Sequence, residues 1–150
     1  FDLPMSTFVP GPRVPPRLSA GEHTVAPFIC YEVVYPTFVS RGARGSNLLI
    51  TVSNDSWFGD SIGPLQHLQM ARYRALETGR PMLRGTNNGV SAIIDHRGQI
   101  QRQSEQFVET MLEGSVRPRH GATPFMQLGN WPIVGLVVLI CLFLGRPRGS

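Results

Sequence analysis

Apolar residues recur along the chain at the spacings that strands and helices require. Residues 24–30 and 47–53 form two apolar runs typical of strands, and the second is apolar enough to be buried on both faces of a sheet. Between them, Pro36 and the glycines at 42 and 45 indicate the start and end of a helix. Proline is unfavourable inside a strand, so Pro27 predicts an edge or a bulge in the first run.

The clearest helix begins at Pro64 and ends at Gly79, where a left-handed residue is expected to cap it. Its apolar side is predicted from residues at helical spacing: Leu65, Leu68, Ala71, Ala75 and Leu76. The first 22 residues, rich in proline and glycine, predict an irregular segment. Further strands are predicted over 81–87, 90–95, 100–103 and 108–116, with a glycine turn at 95–98. Together these elements predict an α/β (α+β layered) domain.

The end of the chain has a different character. Residues 133–144 are continuously apolar, and with Trp131 and Pro132 the stretch is 14 residues long. A spanning helix needs roughly 20 residues, so its length favours a buried core helix. However, the run has no polar face, and Trp131 at one border with Arg146 and Arg148 at the other are typical membrane anchors. We therefore expect a transmembrane helix whose arginines are cytoplasmic and whose preceding domain lies outside the cytoplasm.

The charge pattern narrows the possible functions. The net charge is +4, and all 14 basic residues are arginine, so no lysine of this chain can form a Schiff base or bind a phosphate. The arginines are scattered, which does not fit a nucleic-acid interface. Cys30 and Cys141 are too few for a disulfide scaffold or a cysteine-rich zinc site. His67 and His96 have no partner at metal-ligand spacing and are expected to be structural or exposed. We expect neither a metal nor a cofactor.

Cys30 is the first candidate for chemistry. It ends an apolar strand just before a helix, where a side chain is presented at the edge of a sheet. A nearby helix N-terminus favours a thiolate and offers backbone N–H groups to an oxyanion. A lone cysteine is, however, more often a buried small apolar residue. Glu32, two residues later, is either a solvated charge or a group that orients the site and assists proton transfer.

The polar loop after the second strand is the other candidate. It contains Asn54, Trp57 and Phe58, and ligands gather where strands of α/β sheets end. The two aromatic residues either plug the core or line a wall for an apolar ligand, and the pattern alone leaves both open. On the following helix, Arg74 and Glu77 are three residues apart and predict a structural ion pair.

Three stretches of the chain together resemble one family: 30–32, 53–77 and 84–90. The most specific is the Ser-Asn-Asp-Ser-Trp-Phe-Gly-Asp-Ser-Ile-Gly-Pro run at the start of 53–77. The chain is similar to the apolipoprotein N-acyltransferases of the nitrilase, or carbon–nitrogen hydrolase, superfamily, from its opening Phe-Asp-Leu-Pro-Met-Ser to its apolar end. The resemblance implies the C-terminal part of an αββα sandwich over 1–128. One transmembrane helix and a short basic cytoplasmic tail would follow over 129–150.

The resemblance also implies a function and assigns roles to residues. Cys30 would be the nucleophile of a Glu–Lys–Cys triad and would carry a fatty acyl group as a thioester. The donor would be a membrane phospholipid, and the acceptor the α-amino group of the diacylglyceryl-cysteine that begins an apolipoprotein. Tyr31 would offer its backbone N–H to the oxyanion, and Glu32 would support the site. Asn54, Trp57 and Phe58 would contact substrate, Trp57 near the lipid entrance.

Two residues of the family's catalytic triad, the glutamate and the lysine, have no counterpart in this chain. It begins without methionine or a signal peptide, so we expect it to be part of a longer protein. The triad glutamate and lysine are expected upstream of Phe1, and these 150 residues alone should be inactive. The parent protein is expected in the bacterial inner membrane, with a periplasmic catalytic domain. Two alternatives remain: a soluble nitrilase-like amidase acting on small amides, and a non-catalytic, membrane-anchored binding domain.

Overall fold

A single mixed sheet organises the part of the chain that the computed structural model describes, residues 11–145. Its six strands lie side by side in chain order. They are β1 (Leu18–Ala20), β2 (His23–Ile29), β3 (Leu48–Ser53), β4 (Met82–Thr86), β5 (Ala92–Ile94) and β6 (Ile100–Gln103). Strands β2, β3 and β4 are parallel, and the other neighbours are antiparallel. The α/β prediction is therefore confirmed. The opening hexapeptide, Arg146 and Arg148 fall outside the described residues.

Of the helices in the described residues, the first three pack against one face of this sheet. The helices are α1 (Pro36–Ala43), α2 (Gly63–Thr78), α3 (Pro124–Leu128) and α4 (Trp131–Leu144), with 3-10 turns at Cys30–Val34 and Ser56–Phe58. The register aligns Ala26, Leu49, Met82 and Ile94 across four strands, and side chains in register share a face. All four are buried in one core with residues of α1 and α2. This layer fixes the carboxyl ends of the three parallel strands.

Local signals in the sequence explain several features of this architecture. Strand β1 pairs with β2 only through residues 23–25, so Pro27 lies beyond the β1–β2 ladder. Its missing N–H therefore removes no hydrogen bond to β1. Gly79 caps α2 with a φ of +63°, and Gly98 turns the β5–β6 hairpin with a φ of +74°. Both values lie in the left-handed region that glycine adopts without strain.

The predicted apolar side of α2 was partly wrong. Leu65 and Leu76 are half exposed, whereas His67, Arg74 and Thr78 are buried. The buried side of the helix runs through positions 64, 67, 68, 71, 74, 75 and 78. These positions follow the 3.6-residue period, but polar residues occupy three of them. Polar side chains are stable there because each has hydrogen-bond partners.

The predicted strand over 108–116 was also wrong. Leu112 and Gly114 line a cavity over the outer face of the sheet together with Ile50 and Leu83, and the segment forms no ladder. Its apolar residues are irregularly spaced, and the segment lies over a sheet face instead of pairing at the sheet edge. Two short elements were missed: β1, within the segment predicted to be irregular, and α3.

Helix α4 contains the 14-residue apolar run. Every one of its side chains is exposed, including Trp131 and Leu144 at its two ends. It therefore does not form the buried core helix that its length alone would favour. Over residues 11–145, none of the helices combines the length and the apolar character needed to cross a membrane.

Candidate active site

The candidate site lies where the three parallel strands end. Cys30 follows β2, Ser53 ends β3 with Asp55 two residues later, and Asn87 follows β4. Because parallel strands end at the same edge of a sheet, these side chains lie close together. Ser53 Oγ is 3.4 Å from Cys30 Sγ, and Asn87 Oδ1 accepts a hydrogen bond of 3.2 Å from the backbone N–H of Asp55.

Cys30 has an unusual backbone conformation. Its φ is +50°, and within residues 11–145 only one other residue besides glycine, Phe107, has a positive φ. For a residue with a Cβ atom this region costs on the order of 1–3 kcal/mol, so the surrounding structure must hold it. The cysteine is half-buried and begins the 3-10 turn Cys30–Val34. The strand-to-helix junction expected from the sequence therefore exists, as a sharply bent one.

Buried polar side chains form a hydrogen-bonded network next to Cys30. Asp55, His67 and Arg84 are all buried. Arg84 Nη2 donates to Asp55 Oδ2 over 2.7 Å, and Ser53 Oγ donates to Asp55 Oδ1 over 2.6 Å. His67 Nδ1 lies 3.1 Å from Asp55 Oδ1, and His67 Nε2 lies 3.3 Å from the carbonyl oxygen of Cys30. Thus the network reaches both the sulfur and the main chain of the cysteine.

The electrostatics of the network favour an ionised Asp55. Burial alone would raise the pKa of this carboxyl group, but hydrogen bonds from His67 and Ser53 and the charge of Arg84 outweigh burial and lower it. Burial lowers the pKa of Arg84, while the nearby Asp55 and Cys30 oppose that shift. The carboxylate and the guanidinium therefore stabilise each other as a buried ion pair.

Tyr31 and Glu32 occupy the turn that Cys30 begins. The Tyr31 ring is exposed and packs edge-to-face on Tyr35 at a centroid distance of 5.8 Å. Tyr31 is the second residue of the turn, a position whose backbone N–H is not used by the helix's own hydrogen bonds. Glu32 Oε2 accepts a 2.7 Å hydrogen bond from the backbone N–H of Ile29. Glu32 thereby fixes the residue that precedes the cysteine.

The loop after β3 places its three candidate residues differently. Trp57 is 87% exposed, whereas Phe58 is 36% exposed and lies edge-on to His67 at a centroid distance of 6.2 Å. Asn54 is exposed, and its Oδ1 accepts a 2.8 Å hydrogen bond from Asn87 Nδ2. Phe58 therefore packs against the His67 ring of the buried network. Asn54 links the loop to Asn87 through its hydrogen bond. A substrate-contacting role for these three residues stays a prediction.

Sequence reasoning missed most of the network. Ser53 and Asp55 received no individual role, Arg84 was noted only within a motif, and His67 was expected to be structural or exposed. One signal was available: Arg84 lies two residues after Met82 in β4, on the same buried face. A charged side chain at such a position requires a buried partner. The predicted Arg74–Glu77 pair is present at 2.7 Å. Within residues 11–145, no three His, Cys, Asp or Glu side chains gather as a metal site would require.

Comparison with known proteins gives two kinds of relative. Residues 5–124 match the family model described as carbon-nitrogen hydrolase. The apolipoprotein N-acyltransferase of Pseudomonas aeruginosa is 56% identical over 148 residues, which are 97% of this chain and 29% of that protein. The apolipoprotein N-acyltransferase of Azotobacter vinelandii is 56% identical over 140 residues, 93% of this chain and 27% of that protein. The chain therefore spans less than a third of the length of these curated relatives.

Solved structures give a similar result for the fold. A mutant amidase from Nesterenkonia sp. AN1 has a TM-score of 0.54 and 28% identity, and the match covers 65% of this chain and 39% of that one. In that structure the acetamide moiety of fluoroacetamide is added covalently at the active-site cysteine. The chain thus matches only part of each of these longer proteins, 29% of the Pseudomonas acyltransferase and 39% of the amidase.

Proposed function

Because the chain belongs to the carbon–nitrogen hydrolase family, we propose that it is the C-terminal part of an apolipoprotein N-acyltransferase whose nucleophile is Cys30. The observation that carries this proposal is the position of Cys30 at the end of a parallel strand, half-buried, with a φ of +50°. A strained turn of this kind presents a nucleophile at the edge of a sheet. The 56% identity to acyltransferases supports this chemistry over others of the family.

The proposed reaction has two steps. In the first, the Cys30 thiolate attacks the ester carbonyl carbon of a phospholipid; a C–S bond forms, the C–O bond breaks, and the lysophospholipid leaves as an alcohol after protonation. In the second, the α-amino group of the diacylglyceryl-cysteine of an apolipoprotein attacks the thioester. A C–N bond forms, the C–S bond breaks, and the amine proton passes to a base while the thiolate is regenerated. The covalent intermediate divides one difficult transfer into two easier ones.

The described residues would act as follows. The backbone N–H of Tyr31 would donate to the oxyanion that develops in each step, and Glu32 would keep the turn in place through its hydrogen bond to Ile29. Trp57 would contact the acyl chain, since its ring is largely exposed beside the site. The triad glutamate and lysine would come from the part of the parent protein upstream of Phe1. No lysine occurs in this chain, so the 150 residues alone would be inactive.

We also propose that residues 1–128 belong to the catalytic domain and residues 129–150 to a membrane anchor of the bacterial inner membrane. The exposure of every side chain of α4 supports this, because a large exposed apolar surface marks a site of contact with a membrane or a partner. At about 1.5 Å per residue α4 extends about 21 Å, so flanking residues must add to it to cross a core of about 30 Å. A reporter fused directly after Ser150 should behave as cytoplasmic, with Cys30 on the periplasmic side. A periplasmic reporter signal would refute this orientation.

The acyl-enzyme itself gives the direct test. The full-length parent protein is incubated with phospholipid and no acceptor and analysed by mass spectrometry. A hydroxylamine-sensitive adduct of one fatty acyl group should appear on the peptide containing Cys30 and disappear when a diacylated lipopeptide is added. Cys30→Ser should fold but form no adduct, because a hydroxyl is far less ionised than a thiol near neutral pH. Cys141→Ser serves as the matched control and should acylate normally. Normal turnover by Cys30→Ser would overturn the mechanism.

An amidase is the second candidate function, favoured by the similarity to the Nesterenkonia enzyme. Such an enzyme would use the same cysteine but would pass the acyl group to water. Hydrolysis of short aliphatic amides by the parent protein, with no transfer from phospholipid, would identify it. Release of lysophospholipid without amide hydrolysis would favour the acyltransferase.

A further inference from the structure

The backbone carbonyl of Cys30 is bound by a side chain. His67 Nε2 lies 3.3 Å from this oxygen. A carbonyl oxygen can only accept a hydrogen bond, so this contact is a hydrogen bond when Nε2 carries a hydrogen and donates it. The other ring nitrogen, Nδ1, lies 3.1 Å from Asp55 Oδ1 and 3.2 Å from Arg84 Nη2. A ring that carries a hydrogen on each nitrogen donates from Nδ1 to Asp55 and from Nε2 to the carbonyl of Cys30.

The surroundings hold the His67 ring in this orientation. Asp55 is itself fixed by Arg84, by Ser53 and, through its backbone N–H, by Asn87. A Cβ atom at Gly89 would overlap the Asp55 carboxylate, so the neighbouring turn packs directly against it. The Phe58 ring lies edge-on to the imidazole. The ring therefore has little freedom to leave the carbonyl.

The planarity of the peptide bond carries this constraint to the oxyanion donor. The carbonyl of Cys30 and the N–H of Tyr31 belong to the same peptide unit, and no cis peptide bond occurs in the described residues. In a trans peptide unit the C=O and N–H bonds point in opposite directions within one plane. Holding the oxygen at His67 therefore directs the Tyr31 N–H away from the buried network.

We propose that His67 is a positioning residue that aims the Tyr31 backbone N–H at the oxyanion of the acyl-transfer steps by holding the Cys30 carbonyl. The role rests on the proposed function, since it requires Cys30 to attack a carbonyl group. Asp55 and Arg84 fix the ring, and the positive φ of Cys30 gives the peptide unit its direction. Loss of one oxyanion donor in other enzymes lowers kcat by about 10²–10³.

The test compares two reactions of Cys30 in the full-length parent protein. Acylation by phospholipid passes through an oxyanion, whereas alkylation by iodoacetamide displaces iodide and forms none. His67→Asn removes the Nε2 donor and should lower the rate of acyl-adduct formation about 100-fold, with KM for phospholipid unchanged. Its rate of alkylation should stay within about threefold of wild type, because the sulfur remains in place.

Three comparisons make the outcome decisive. His67→Gln places an amide N–H near the position of Nε2 and should restore acylation to within about tenfold of wild type, by the same donor argument. His96→Asn is the matched control on a turn outside the network and should react as wild type. If His67→Asn does not fold, His67→Met replaces it as a donor-free variant of similar volume.

The results separate this inference from the proposed function. An unmodified wild-type Cys30 in the presence of phospholipid would refute the acyltransferase itself. Normal wild-type acylation with equal rates in the His67→Asn and His67→Gln variants would refute the positioning role alone. Parallel loss of acylation and alkylation would also refute it, because a general collapse of the site affects both reactions.

Discussion

Removing the charge of Asp55 is expected to destabilise the fold more than removing any other carboxylate in the described chain. Both side chains of the Asp55–Arg84 pair have 0% exposure, and their atoms are 2.7 Å apart. Asp55→Asn leaves the Arg84 guanidinium buried without its counter-charge, and its Nη1 already lacks a partner among the described residues. Breaking a buried pair from one side costs about 3–5 kcal/mol. At about 2 °C per kcal/mol for a unit of about 250 residues, Tm should fall by about 6–10 °C.

The Arg74–Glu77 pair of α2 supplies the matched control. Burial raises the pKa of Glu77, and the attraction of Arg74 only partly offsets burial, so the fold favours the protonated carboxyl. For Asp55 the net shift is downward and the fold favours the carboxylate. Glu77→Gln, which mimics a protonated carboxyl, should therefore lower Tm by much less than Asp55→Asn.

The pH dependence follows from the same directions. An unfolded aspartate has a pKa of about 3.9, and the folded Asp55 titrates below that value. Its contribution to stability is fully present above about pH 4 and is lost as the pH falls through the folded pKa. The Tm difference between wild type and Asp55→Asn should therefore be constant from about pH 8 to 5 and shrink only below about pH 4.

Thermal unfolding of the detergent-solubilised parent protein, followed by circular dichroism, measures these differences. The double variant Asp55→Asn/Arg84→Met removes both charges and should be more stable than Asp55→Asn alone, since no unpaired charge stays buried. The explanation is refuted if Asp55→Asn and Glu77→Gln lower Tm equally, or if adding Arg84→Met to Asp55→Asn lowers Tm further.

Three further predictions address the rim of the site. Trp57→Ala should lower the rate of acyl transfer while leaving Tm unchanged, because its ring is 87% exposed; a lower Tm with normal transfer would show a core plug instead. Gly89→Ala should lower the free energy of unfolding by about 1–3 kcal/mol, measured by chemical denaturation, because the added methyl group overlaps the Asp55 side chain. Gly85→Ala is the control and should not destabilise the fold, because the added methyl group meets open space. Glu32→Ala should cost about 1 kcal/mol and slow acylation, while Glu32→Gln, which keeps an acceptor for the turn, should retain most stability.

The sequence was sufficient to predict the elements whose boundaries have a local cause. Gly79 and Gly98 mark a helix end and a hairpin because each needs a positive φ. The prediction of a strand over 108–116 was wrong because a segment that lies over a sheet face also contains apolar residues without pairing to a strand.

The candidate site was predictable only at its surface. Cys30 and the aromatic loop could be identified because strand ends and exposed aromatic residues have recognisable patterns. The connection from Arg84 through Asp55 to His67 joins residues that are 29 and 12 positions apart. It depends on how β3, β4 and α2 pack, and no local pattern contains that information.

The strained backbone of Cys30 has an evolutionary consequence. Glycine adopts a positive φ freely, so at this position it would relieve strain that the cysteine imposes on the folded chain. With Cys30 as the proposed nucleophile, selection for catalysis would keep the sulfur despite that cost. A gene copy released from this selection would gain stability by replacing the cysteine with glycine. Among duplicated copies of such genes, glycine at position 30 would mark those that have abandoned the reaction but still maintain the fold.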